Sequence, residues 1–129
     1  MIVHLKPFID ERGYTIALET NKDIPFDVKR VYYLYNATKP RGNNAHKTLK
    51  QFLICLNGIC RVTLDNGFTR DDFFLDSPDI GLYIKPNTWS ILNFYTNNTI
   101  LLVMASEYYD KSDYIFDYDE FIRSVQCTT

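Results

Sequence analysis

Residues 40–67 read PRGNNAHKTLKQFLICLNGICRVTLDNG, and this stretch decides the fold. Two apolar runs, 52–56 and 59–64, are split by Asn57-Gly58. Asn-Gly between β-rich runs is a strong hairpin signal, because a type I′ turn needs positive φ at both central residues. Asp65-Asn66-Gly67 ends the second run with the same turn chemistry. Upstream, the turn-forming cluster Pro40-Arg41-Gly42-Asn43-Asn44 is followed by His46 and Lys47. The expectation is an antiparallel hairpin fed by a loop that carries an imidazole and two cations, an arrangement that holds polar groups over a small-molecule pocket.

Outward from this centre, the 129 residues suit one domain, 1–129, with enough chain to bury a core. The chain is 46% hydrophobic and 23% charged, which excludes a disordered polymer. Ten Tyr and nine Phe against five Gly favour strands, since aromatic side chains fit a pleated, half-buried surface. A net charge of −2 gives no reason to expect nucleic acid as a partner. Any anion must therefore meet a local cluster such as Arg41 and Lys47. Cys55, Cys60 and Cys127 are odd in number and read as free packing thiols in a reducing compartment. The first residues are too short and polar for a signal peptide, and no run reaches the ~18 apolar residues of a membrane span. The expected location is the cytoplasm.

Along the chain, 2–8 reads as an edge or exchanged strand, 10–13 as a turn, 14–19 as a strand and 21–26 as a loop. KRVYYLY, 29–35, is a strand whose polar and apolar faces are hard to separate, and 36–43 is a loop. Beyond the hairpin, strands are expected at 80–84, 89–95 and 99–105, the last fully apolar and central. Turn signals every ~8–12 residues mark an all-β sandwich or barrel. The tail differs: 117–125 has apolar residues at helical spacing and acids in the first turn, which predicts one short C-terminal α-helix.

The spacing of Gly42, Asn44-Ala45-His46, Lys50 and Gly58 resembles the first motif of the cupin barrels, in which a Gly, His-x-His, an acid and a second Gly follow one another. In metal-binding cupins that face holds two imidazoles and a carboxylate. Here Asn44 and Lys50 stand in two of the three slots, and an ammonium repels a divalent cation. The expectation is a pocket without a metal.

A wider resemblance covers nearly the whole chain. Its carriers include Arg12-Gly13, Ile24-Pro25-Phe26, Lys29-Arg30-Val31-Tyr32-Tyr33, Pro40-Arg41-Gly42, Ala45-His46-Lys47 and Gln51. They continue with Cys55-Leu56-Asn57-Gly58, Leu75-Asp76-Ser77-Pro78, Gly81-Leu82-Tyr83, Trp89 and Tyr108-Tyr109-Asp110. These residues resemble the nucleotide-sugar 3,4-ketoisomerases, the WxcM-like cupins. The resemblance implies a cupin-type antiparallel β-barrel (jelly roll) that pairs as a homodimer, often with exchanged N-terminal strands. It implies action on dTDP-4-keto-6-deoxyglucose, moving the carbonyl from carbon 4 to carbon 3 for the 3-amino sugars of surface polysaccharides such as O-antigen, without a cofactor. His46 is then the proton-transfer residue, with Tyr33, Tyr14 or Tyr83 in a relay and Tyr33 taken first. Arg41 and Lys47 would hold the diphosphate. Asn44, Gln51, Arg61, Tyr14, Tyr83, Trp89 and Ser90 complete the expected substrate-binding set. The family usually carries His where this chain has Asn44 and Ser90, and neither replacement serves as a base at pH 7. Three readings stay open: a ketoisomerase running on one His, a binding relative without turnover, and an epimerase on a related keto sugar.

Overall fold

The computed structural model describes residues 1–126. Its strands are β1 (Ile2–His4), β2 (Phe8–Asp10), β3 (Gly13–Thr15), β4 (Arg30–Leu34), β5 (Arg41–His46) and β6 (Gln51–Asn57). They continue as β7 (Cys60–Asp65), β8 (Arg70–Leu75), β9 (Ile80–Ile84), β10 (Trp89–Phe94), β11 (Ile100–Ala105) and β12 (Tyr114–Ile115), and the helix α1 (Tyr118–Gln126) follows. Two antiparallel five-stranded sheets result, ordered β1-β9-β6-β11-β4 and β12-β5-β10-β7-β8. The pair β2-β3 stands apart as a two-stranded arm. Among the described residues no ladder joins the two large sheets, so they form a sandwich of separate layers.

Alternation along the strands builds three apolar layers. Leu53, Leu101 and Val103 of the first sheet meet Cys60, Val62, Leu75 and Leu92 of the second in the central core. The intervening residues Phe52, Ile54 and Met104 point the other way and are covered by Leu5, Ile24 and Phe26 from the N-terminal segment. On the far side of the second sheet, Trp89 and Ala45 are covered by Ile115 and by Phe121 of α1. Cys55 and Cys60 are free and buried, and burial pushes the Cys60 thiol up to about 12. Cys127 lies outside the described residues.

The expected hairpin across Asn57-Gly58 does not form. β6 is flanked on both edges, by β9 and by β11, so it has no edge left for β7, which pairs instead with β8 and β10. Asn57-Gly58 is the corner where the chain crosses from one sheet to the other. Only Gly58 has positive φ, at 81°, and a Cβ there would lie 2.3 Å from Thr96 Oγ1, which a side chain cannot satisfy. Asn57 Nδ2 donates to Asn98 O at 3.0 Å and ties the corner to the next turn.

Two boundaries also move. The strand expected at 14–19 is only Gly13–Thr15, and Ile16 and Leu18 pack over the first sheet as irregular chain. The loop expected at 36–43 ends early, because Arg41–His46 is already strand. His46 and Arg41 therefore ride on a strand and not on a loop. The strands expected at 80–84, 89–95 and 99–105 are present, β11 is paired on both edges, and the predicted helix begins one residue later than expected. No described helix is long and apolar enough to cross a membrane.

Candidate functional site

The two sheets splay at one end into a cavity of about 610 Å³. Its walls follow from strand alternation. Arg30, Tyr32 and Leu34 come from β4, and Asn44 and His46 from β5. Gln51 and Leu53 come from β6, and Ser90 and Leu92 from β10. Tyr109 and Tyr114 close it from the segment after β11. Asn44 and Ser90 are direct cross-strand partners, beside a register shift between Ser90 and Ile91. Gly42 makes that close approach: its φ is +85°, and a Cβ would lie 2.8 Å from Ser90 O.

His46 is 8% exposed. Its ring meets Tyr114 edge-on, with centroids 4.2 Å apart. Its carbonyl accepts from Asn87 N at 2.8 Å. The following corner is pinned by Asp113, whose carboxylate accepts from Thr48 N (3.0 Å), Thr48 Oγ1 (2.9 Å) and Leu49 N (3.1 Å). His46 Nε2 is buried and has no hydrogen-bond partner. Burial lowers its pKa to about 4; Asp113 opposes that and Arg30 adds to it. The imidazole is therefore neutral at pH 7, the form in which a histidine on the cavity wall can act as a base. Beside it, Tyr32 OH accepts from Gln51 Nε2 at 3.0 Å. Burial, first of several causes, raises the Tyr32 phenol, so it stays protonated and can donate. A second cavity of about 460 Å³ adjoins the first, sharing Arg30, His46, Tyr109 and Tyr114 with it.

Of the residues expected at the site, Arg41, Asn44, His46, Gln51 and Ser90 line the cavity together. The others lie elsewhere within one chain. Lys47 Nζ donates to Ser112 O at 3.3 Å. Trp89 alternates away from Ser90 and is buried under α1, its ring 5.3 Å from Tyr118 and 5.7 Å from Phe121. Tyr33 alternates away from Tyr32 and is 63% exposed on the outer face. Arg61 lies on the outer face of β7, over the Tyr95 ring at 5.7 Å. Tyr83 packs on Phe26 across the first sheet, and Tyr14 sits on the arm, 74% exposed. Sequence reasoning missed Arg30, Tyr32, Tyr109 and Tyr114. The signal for the first two was the period of two: once Leu34 is given to the core, Tyr32 and Arg30 share its face.

The cavity thus offers one imidazole among amide, hydroxyl and guanidinium groups. Among the described residues no three His, Cys, Asp or Glu side chains gather where they could hold a metal ion.

A model of the family described as "FdtA: WxcM-like, C-terminal" matches residues 1–126. The chain belongs to this family. A relative from Aneurinibacillus thermoaerophilus, TDP-4-oxo-6-deoxy-alpha-D-glucose-3,4-oxoisomerase, is 47% identical over 96% of this chain and 91% of its own. The crystal structure of a 3,4-ketoisomerase from Helicobacter canadensis superimposes with a TM-score of 0.94 at 42% identity, over 98% of this chain and 96% of that one. The sugar 3,4-ketoisomerase QdtA from Thermoanaerobacterium thermosaccharolyticum, solved with TDP, gives 0.95 at 39% identity over 99% and 95%. A His-to-Asn mutant of QdtA has also been solved with TDP-4-keto-6-deoxyglucose. The same mostly-β architecture with its antiparallel sheets is therefore that of the FdtA-type ketoisomerases.

Proposed function

We propose that this chain is a 3,4-ketoisomerase that converts TDP-4-keto-6-deoxyglucose to the 3-keto sugar. The observation that carries the reading is His46, a buried, neutral and unpartnered imidazole, in a chain 47% identical to a 3,4-oxoisomerase. The carbonyl at carbon 4 acidifies the C3–H bond. His46 removes that proton, the enediol forms, and the proton returns to carbon 4. The rearrangement is redox-neutral within the sugar and draws on no cofactor. Tyr32, held by Gln51, takes the relay role that sequence reasoning gave to Tyr33. Asn44 and Ser90, a cross-strand pair on the cavity wall, hold sugar hydroxyls, and Arg41 grips the diphosphate as a planar fork.

Finer features belong to the same reading. The sandwich is a cupin-type jelly roll whose layers wrap toward a barrel. The enzyme works as a homodimer in the cytoplasm and supplies a 3-amino sugar for O-antigen or lipopolysaccharide. Tyr14, far from the cavity of its own chain, contributes only across a dimer interface. The test is to incubate the protein with TDP-4-keto-6-deoxyglucose in deuterated water and follow carbons 3 and 4 by NMR. The 3-keto product with deuterium entering the sugar is expected, and His46→Asn should abolish both while TDP still binds. A wild-type protein that binds TDP yet neither exchanges nor isomerises would make it a binding relative instead.

A further inference from the structure

Arg30 is the cavity residue whose chemistry is least accounted for. It opens β4 opposite Ala105 of β11, and Ala105 also faces Gln51 of β6, so Arg30 and Gln51 flank one cross-strand row. Its guanidinium lies between two aromatic rings, 5.1 Å from the Tyr32 centroid and 5.7 Å from that of Tyr109. It borders both cavities, as His46 does. Its Nε is buried and has no hydrogen-bond partner. The ion pairs found among the described residues join Arg12 to Asp10, Lys22 to Glu19, Lys29 to Glu107 and Arg70 to Asp65; none engages Arg30. A guanidinium is charged at every accessible pH, and a dry Nε is costly; Arg61 Nε is equally dry on the outer face of β7, but Arg30 alone of the two lines the cavity. Ring faces offset only part of that. Such a cation, on a cavity wall and outside every ion pair found, is suited to an anion that arrives with the substrate. Arg41, the other arginine of the cavity, is exposed toward solvent and suits the diphosphate.

We propose that Arg30 is a catalytic residue, which binds the oxygens on carbons 3 and 4 and carries the enediolate charge while His46 moves the proton. This rests on the ketoisomerase reading above. When His46 takes the proton from carbon 3, the C–H electron pair becomes the C3=C4 bond and the carbonyl pair moves onto O4. The guanidinium fork donates to O4 and O3 together. The O3 proton then passes to O4, the charge moves to O3, and C3=O closes as carbon 4 recovers the proton from His46. Nothing is oxidised or reduced overall. The need for such a group is sharp here, because Asn44 and Ser90 are neutral and His46 is occupied as the base.

The experiment compares the unaltered protein with Arg30→Gln, Arg30→Lys and Arg30→Ala. It measures kcat and KM for TDP-4-keto-6-deoxyglucose, TDP affinity by calorimetry, and thermal unfolding. Arg30→Gln should lower kcat about 10²–10³-fold, the loss seen when one oxyanion donor is removed. Arg30→Lys should lose less, and TDP should bind each variant within about threefold of the unaltered protein, since TDP lacks the sugar. Added guanidinium ion at millimolar concentration should restore part of the Arg30→Ala kcat. Full kcat in Arg30→Gln overturns the proposal, as does loss of TDP affinity in step with activity. Loss of activity that tracks loss of folding, without rescue, overturns it too. If the unaltered protein itself does not turn over the sugar, the functional reading falls and this proposal falls with it.

Discussion

Removal of His46 from water sets the acid limit of the proposed chemistry. Burial lowers its pKa from the ordinary 6.5 to about 4, with Arg30 reinforcing the shift and Asp113 opposing it across the corner that Thr48 and Leu49 pin. Tyr32, whose phenol burial raises, is uncharged at these pH values. A pH profile of kcat/KM should therefore hold level well below pH 6 and fall only near 4, where an ordinary imidazole would already have failed. A fall centred near 6.5 would assign the base elsewhere. The same shift acts on folding. A His whose folded pKa lies below its unfolded value favours the unfolded chain as pH drops from 6.5 toward 4, by at most about 1.4 kcal/mol per pH unit. Denaturation of His46→Asn should lack that slope.

At the same scale, sequence reasoning reached Arg41 and His46 from the polar cluster before the apolar runs, and Asn44, Gln51 and Ser90 through the resemblance to the ketoisomerases. It missed Tyr32 and Arg30 because KRVYYLY carries aromatic residues on both faces, and only the partner strands decide which face is inside. Trp89 was misleading for the same reason. Its neighbour Ser90 faces the cavity, so Trp89 must face away.

Helix α1 spans nine residues, too few to persist alone, so its docking supplies its stability. Phe121 is fully buried against Trp89 and Tyr118. A second anchor is Asp65, whose carboxylate accepts from Tyr118 OH, from Gly67 N at 2.8 Å and from Arg70 Nη2 at 3.0 Å. Burial raises the Asp65 pKa, but these donors outweigh it and hold the carboxyl below its usual range. Phe121→Ala should cost about 3–5 kcal/mol and loosen the helix from the sheet. Trp89 is the only tryptophan, so its fluorescence in Phe121→Ala should report that loosening before denaturant unfolds the sheets. An unchanged emission spectrum would mean the helix stays seated without its anchor. The helix and the strands β9, β10 and β11 were legible from periodicity, whereas the start of β5 was read as loop and β8 and β12 were not foreseen. The partner choice at Asn57-Gly58 was not legible, because a turn signal announces a reversal without naming the strand that will lie alongside.

Across the whole molecule, the arm β2-β3 is the part a single chain leaves least supported. It pairs only with itself, and Phe8 and Ile9 are 67% and 57% exposed. A lone two-stranded ribbon is marginal in water, and covering these side chains with a second copy fits the proposed homodimer. Sedimentation should find a dimer that Phe8→Asp with Ile9→Asp converts to monomer, and the melting temperature of the unaltered protein should rise with concentration. A monomer at every concentration would remove the dimer from the functional reading.

The placement of β6 between β9 and β11 reaches beyond the finished structure. During translation this apolar strand emerges from the ribosome well before either neighbour exists, and the strand that follows it joins another sheet. The nascent chain must carry two unzipped edges until β9 has been made, and one until β11 follows in the last third. Folding is therefore tied to late, distant pairing, which is slow and leaves sticky backbone open to other chains. The corner that separates the sheets to make room for a substrate also makes this segment a natural client for a chaperone.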